Sequence, residues 1–189
     1  MLSPTKIIIT IEKKFNDELS FNGSKIFLDT SFNPEWNVIP YGIVHSVPLR
    51  DLDVDGFVCN VEVGDKLYFN YNVVMDDSNL IEHDGQEYWL VDYYMALAVS
   101  RDGVIIPVGE HILIEPIVEE VTHDFLIIPE LAKKIVTDRG KVFASNDPEI
   151  PVGSVVEFDP VGKFENEIDG HKLFVMFNNN IYYLWNSKS

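Results

Sequence analysis

The chain has 189 residues, 46% of them hydrophobic, and a net charge of −17. Such an apolar share excludes a disordered chain. The negative charge, with the basic residues dispersed along the sequence, argues against a nucleic-acid surface.

Taken in order, the segments read as strands. They are "KIIITIEKK" (6–14), "YGIVHSV" (41–47), "DKLYFNYNVV" (65–74), "EYWLVDYY" (87–94), "HILIEPIVEE" (111–120), "GKVFAS" (140–145), "SVVEFDPV" (154–161), "KLFVMFN" (172–178) and "NIYYLW" (180–185). Each is short, rich in β-branched and aromatic residues, and bounded by Gly, Pro, Asn or Asp. Only "PELAKKIVTD" (129–138) has helical spacing. The expected class is all-β.

An internal repeat organises these strands. "VEVGDKLYF" (61–69) returns as "IPVGSVVEF" (150–158), and "IEHDGQEYWLV" (81–91) as "NEIDGHKLFVM" (166–176). Upstream, "KIII" (6–9) matches "HILI" (111–114) and "YGIV" (41–44) matches "RGKV" (139–142). Asp84-Gly85 and Asp169-Gly170 read as tight hairpin turns with φ > 0 at the glycine. The repeat predicts two domains, 1–102 and 103–189, meeting near "SRDGVIIPVGE" (100–110).

Within each half a polar segment follows the first strand and holds one apolar triplet, Ile26-Phe27-Leu28 or Leu126-Ile127-Ile128. An apolar triplet in a loop is a candidate for partner recognition; the competing reading makes it one more core strand.

In this order and spacing, "RGKVFAS", "VGSVVEF", "IDGHKLFVM" and "NNNIYYL" behind a triplet-bearing loop resemble the GroES family of co-chaperonins. The first half repeats the order with "KIFLDT", "YGIVHSV" and "VGDKLYFNYNVV". The resemblance implies two tandem, partly open β-barrels. It also implies a homo-oligomeric ring that caps a chaperonin, with Ile26, Phe27, Leu28, Leu126, Ile127 and Ile128 docking into apolar grooves on the apical domains. Two departures stand out. Ser24-Lys25 and Asp124-Phe125 replace the glycines that usually precede the triplet, and the segment 48–60, which suits a hairpin over a ring, has only "NDPEIP" (146–151) as its counterpart.

Residues 51–62 supply a rival. "DLDVDGFVCNVE" satisfies D-x-D-x-D-G-x5-E with Asp51, Asp53, Asp55, Gly56 and Glu62, although strands rather than helices flank it. The alternative function is therefore a non-catalytic β-barrel binding or assembly protein that uses calcium. His45, His83, His111, His123 and His171 show no ligand or triad spacing, and Trp36, Trp89 and Trp185 read as core aromatics. Neither catalysis nor a cofactor is expected. No apolar run reaches the ~18–20 residues of a membrane helix, and no signal-peptide cleavage pattern opens the chain. With Cys59 as the single cysteine, the expected location is the cytoplasm, without membrane contact.

Overall fold

A computed structural model describes residues 2–21, 24–27, 29, 33–49, 59–120 and 133–185. The chain divides into two compact units, Met1–Val104 and Ile105–Ser189. Among the described residues both are built of β-strands joined by short helical turns.

The first unit contains β1 (Ile7–Thr10), β2 (Glu18–Phe21), β3 (Ser24–Phe27), β4 (Tyr41–Ser46), β5 (Lys66–Phe69), β6 (Leu80–His83), β7 (Gln86–Val91) and β8 (Ala96–Arg101), with β9 (Val104–Pro107) at the boundary. The second contains β10 (His111–Glu120), β11 (Lys133–Ser145), β12 (Val155–Phe158), β13 (Phe164–Ile168), β14 (His171–Phe177) and β15 (Ile181–Trp185). The sheet orders are β6-β7-β1-β4-β5-β8-β9 and β13-β14-β10-β11-β12-β15, and β2 and β3 form a separate two-stranded sheet. Apart from β9, the two orders correspond strand for strand.

Local chemistry accounts for the strands. In β4 the buried positions Gly42, Val44 and Ser46 alternate with exposed Tyr41, Ile43 and His45, the two-residue period of a half-buried strand. In β14 four consecutive residues, Leu173 to Met176, are buried. The hairpins β6-β7 and β13-β14 turn on Asp84-Gly85 (φ 52° and 75°) and Asp169-Gly170 (φ 47° and 82°). Positive φ at both central positions is the twist-matched hairpin turn that Asp-Gly favours.

Two segments depart from the sequence expectation. Residues 65–74 are not one strand: β5 stops at Phe69 and the chain turns into helix α1 (Asn72–Met75), which buries Val73 and Val74. The Asn70 side-chain oxygen accepts the Asn72 N–H at 3.0 Å, a local bond that favours a turn over a continuing ladder. The helical spacing of 129–138 gives way to strand β11 from Lys133 onward, where Lys133, Lys134 and Ile135 pair with Glu120, Glu119 and Val118. Pairing with β10 outweighs a weak local period.

The two units share one close approach between strands. In the first, the β1–β4 register slips between Ile8 and Ile9, which face Ser46 and Val44. In the second it slips between Leu113 and Ile114, which face Ala144 and Val142. Beside each bulge sits a glycine. A Cβ on Gly42 would lie 2.6 Å from the Thr10 carbonyl oxygen, and one on Gly140 would lie 2.8 Å from that of Glu115 and against the Ile114 side chain. The turn that follows is shared as well. Gly64 N–H donates to Val44 O at 2.9 Å, and Gly153 N–H donates to Val142 O at 2.8 Å.

Around the second crossing Ile112, Ile114, Val142, Val156, Phe158, Phe174 and Met176 form a buried cluster. Phe158 and Phe174 meet edge-on at 5.9 Å. His111, 3% exposed, opens β10. Its ring stacks on Phe177 at 4.3 Å, and its Nδ1 lies 2.8 Å from the Val108 carbonyl oxygen. A carbonyl only accepts, so Nδ1 carries the proton and donates. Burial pushes the imidazole pKa below its ordinary value, only partly opposed by that bond.

Two predictions follow from this packing. Gly42→Ala and Gly140→Ala should each destabilise by about 1–3 kcal/mol, because the added methyl meets backbone and forces the strands apart; urea denaturation followed by far-UV dichroism checks this. The depressed His111 pKa means that the unfolded chain takes up a proton below pH ~6.5 that the folded unit resists. The stability contributed by neutral His111 is therefore full above that pH and falls as the solution is acidified. Between pH 7 and pH 5 the wild type should lose more stability than His111→Gln, read as the difference in their urea midpoints.

Candidate functional site

The sequence-predicted site begins where β1 ends. Past Thr10 the chain leaves the sheet, forms the hairpin β2-β3, and returns to β4. In that hairpin Glu18 lies opposite Phe27 and Leu19 opposite Ile26. Lys25 Nζ and Glu18 Oε2 are 2.8 Å apart across it. Lys13 and Asp17 form a second ion pair at its base. The Lys13 hydrogen bond holds the Asp17 carboxyl below the usual carboxylate range and raises the lysine in turn. Both groups are solvated, so these bonds shape the hairpin more than they stabilise it.

Ile26 is 52% exposed and Phe27 76% exposed. Two of the predicted site residues thus stand on a strand rather than in an irregular loop, yet they are not core. Leu28 lies outside the described residues. An exposed Phe beside an exposed Ile, on a hairpin separate from the main sheet, forms an apolar surface.

In the second unit, β10 and β11 pair beyond the glycine crossing, from Pro116↔Gly140 through a lapse to Val118↔Ile135, Glu119↔Lys134 and Glu120↔Lys133. Pro116 has no N–H to give the ladder where the lapse begins. This two-stranded stem leaves the sheet at the position equivalent to the first unit's hairpin. Val118 and Ile135, opposite one another on it, are about half exposed. It leads into residues 121–132, so Leu126, Ile127 and Ile128 lie outside the described residues.

The calcium reading is addressed by its last ligand alone, because Asp51, Asp53, Asp55 and Gly56 lie outside the described residues. Glu62 Oε1 accepts a hydrogen bond from Arg101 Nη1 at 2.6 Å. The same guanidinium grips Asp65 with Nε and Nη2, both at 2.8 Å, and Nη2 also donates to the Asn60 carbonyl at 3.0 Å. Burial opposes the charged form of Asp65, yet Arg101 and the Glu62 N–H together hold its carboxyl below the usual range. Among the described residues no cluster of three or more His, Cys, Asp or Glu could hold a metal ion. Sequence reasoning missed this clasp. Nothing in the spacing of Asp65 and Arg101 announces that β5 and β8 are neighbours.

No protein-family model matches the chain, and no curated protein matches it in sequence. Among the described residues no helix is long and apolar enough to cross a membrane.

Removal of Arg101 would leave Asp65, 3% exposed, without its cation. Arg101→Ala should therefore cost about 1–3 kcal/mol, whereas Arg101→Ala with Asp65→Asn should recover part of the loss. A double-mutant cycle by denaturant titration measures the coupling.

Proposed function

We propose that this chain is a co-chaperonin of the GroES kind, with two tandem β-barrel domains that cap a chaperonin ring. What carries the reading is the coincidence of framework and projection. Two units share a six-strand order, a bulge and a close-crossing glycine, and each sends a two-stranded projection outward from the same place between its first two sheet strands. The projection described furthest carries exposed Ile26 and Phe27 on its second strand, at the pairs nearest its open end.

Docking is a matter of modest forces repeated. Burying one apolar side chain contributes about 1.5–3 kcal/mol, and ordering a segment costs ~1–2 kcal/mol per residue, so a single triplet binds weakly. Several projections carried on one assembly raise the effective concentration of each successive contact. The chain would form a homo-oligomeric ring. β15, the outer strand of its sheet, supports this with Tyr182, Tyr183 and Trp185 all more than half exposed, contrary to the core reading of Trp185 from the sequence. The site residues are Ile26, Phe27, Leu28, Leu126, Ile127 and Ile128, meeting chaperonin apical domains. The chemistry is protein binding without catalysis.

The test is a pull-down with a purified GroEL-type chaperonin in the presence of ATP or ADP. A nucleotide-dependent complex is expected, weakened about tenfold or more by Phe27→Ser or Ile127→Ser, in line with the loss of one buried apolar side chain. Absence of any complex, or full binding by the Phe27→Ser/Ile127→Ser double variant, would overturn the reading.

A further inference from the structure

The base of the first hairpin is built as a clamp. Lys14 lies four residues past β1, and its Nζ stands 4.9 Å from the ring centroid of Trp89 and 5.3 Å from that of Phe15, 3.9 Å from Asp77 Oδ1. Trp89, 4% exposed, belongs to β7, where it faces Ile9 of β1. The ammonium therefore joins the outgoing chain to β7, the strand beside β1. The backbone closes the same junction: Ile39 N–H donates to Lys14 O at 3.0 Å, Asn16 N–H donates to Asn37 O at 2.6 Å, and Phe15 bridges Val38. The returning chain is shaped by Asn33, whose φ of 51° precedes the single turn Pro34–Asn37.

We propose that Lys14 is the positioning residue of the hairpin. Held over Trp89 and Phe15, its side chain anchors the outgoing chain to β7, and the backbone bonds at Lys14 and Asn16 tie the returning chain to that anchor, so that Ile26 and Phe27 leave the unit in one direction. The physical case is that a two-stranded hairpin has little stability of its own. Its direction is then set at its base, where a cation over a buried indole is attracted more strongly than one over a solvated ring. A charge is needed there. An apolar side chain would cover Trp89 but would neither meet the ring face electrostatically nor reach toward Asp77. The consequence for binding rests on the co-chaperonin reading; the positioning itself does not.

The experiment compares wild type, Lys14→Met, which keeps an apolar stem of similar length, and Lys14→Arg, which restores the cation. Amide hydrogen exchange at Asn16 and Ile39 should quicken about tenfold in Lys14→Met and return in Lys14→Arg, while Ile8 and Leu90 in the central sheet are unchanged. In the chaperonin pull-down Lys14→Met should bind several-fold more weakly and Lys14→Arg like wild type. Wild-type exchange in Lys14→Met, failure of Lys14→Arg to restore it, or equal quickening in the central sheet overturns the proposal. So does undiminished chaperonin binding by a Lys14→Met protein whose base has loosened. If wild type forms no complex, the co-chaperonin reading falls, and exchange at the two base amides decides the role of Lys14 alone.

Discussion

Each unit is organised by the distance at which two of its strands pass. At Gly42 and at Gly140 the neighbouring carbonyl comes so near that a methyl group has no room. The adjoining bulge adds local twist and bends the strand that carries it. With both features in place, β1 and β10 sit centrally, β1 between β7 and β4 and β10 between β14 and β11. Their isoleucines, Ile7 to Ile9 in one unit and Ile112 and Ile114 in the other, are sealed from water as a result. The remaining strands follow outward from that pair, and the turn at Gly64 or Gly153 is stitched back to the same valine that faces the bulge.

Where the crossing ends, the two halves use different means to the same placement. In the first, pairing stops at Thr10↔Ile43, and the junction at Lys14 and Phe15 lies between it and the hairpin. In the second, the ladder lapses at Pro116 and resumes at Val118, so β10 and β11 themselves become the stem. One projection is joined to its sheet by side chains and a short ladder, the other by continuous backbone. Their stiffness therefore has different origins. The Asp65–Arg101 clasp is likewise a property of one half, since the corresponding position in the other, judged by the repeat, is Ser154.

The all-β class was legible in the sequence because short β-branched runs between turn residues have one dominant physical reading. The Asp-Gly turns were legible for a stronger reason, because few dipeptides tolerate positive φ twice in succession. The chain's bend into α1 was not, because Val73-Val74 suits strand and helix alike and the turn is fixed by local bonds of Asn70, Tyr71 and Asn79 that periodicity does not show. Of the candidate site, the apolar residues Ile26 and Phe27 in a polar segment could be read, but not whether they are exposed or core. Their strand conformation could not, since β2 and β3 have little periodicity over four residues each. The Lys14 junction and the Arg101 clasp were out of reach altogether. Both join residues far apart in sequence, and a lysine beside a phenylalanine looks the same whether or not a distant tryptophan lies beneath it.

What the halves hold in common is mostly missing volume and carbonyl direction: a glycine without a side chain, a slipped register, a turn closed on a valine oxygen. Such features make few demands on the identity of other residues. A unit that keeps them can exchange most of its surface and much of its core, at constant volume, and still fold along the same path. Charged clasps, projection stems and edge aromatics can therefore differ between the units, so that one framework carries two separately adjustable faces.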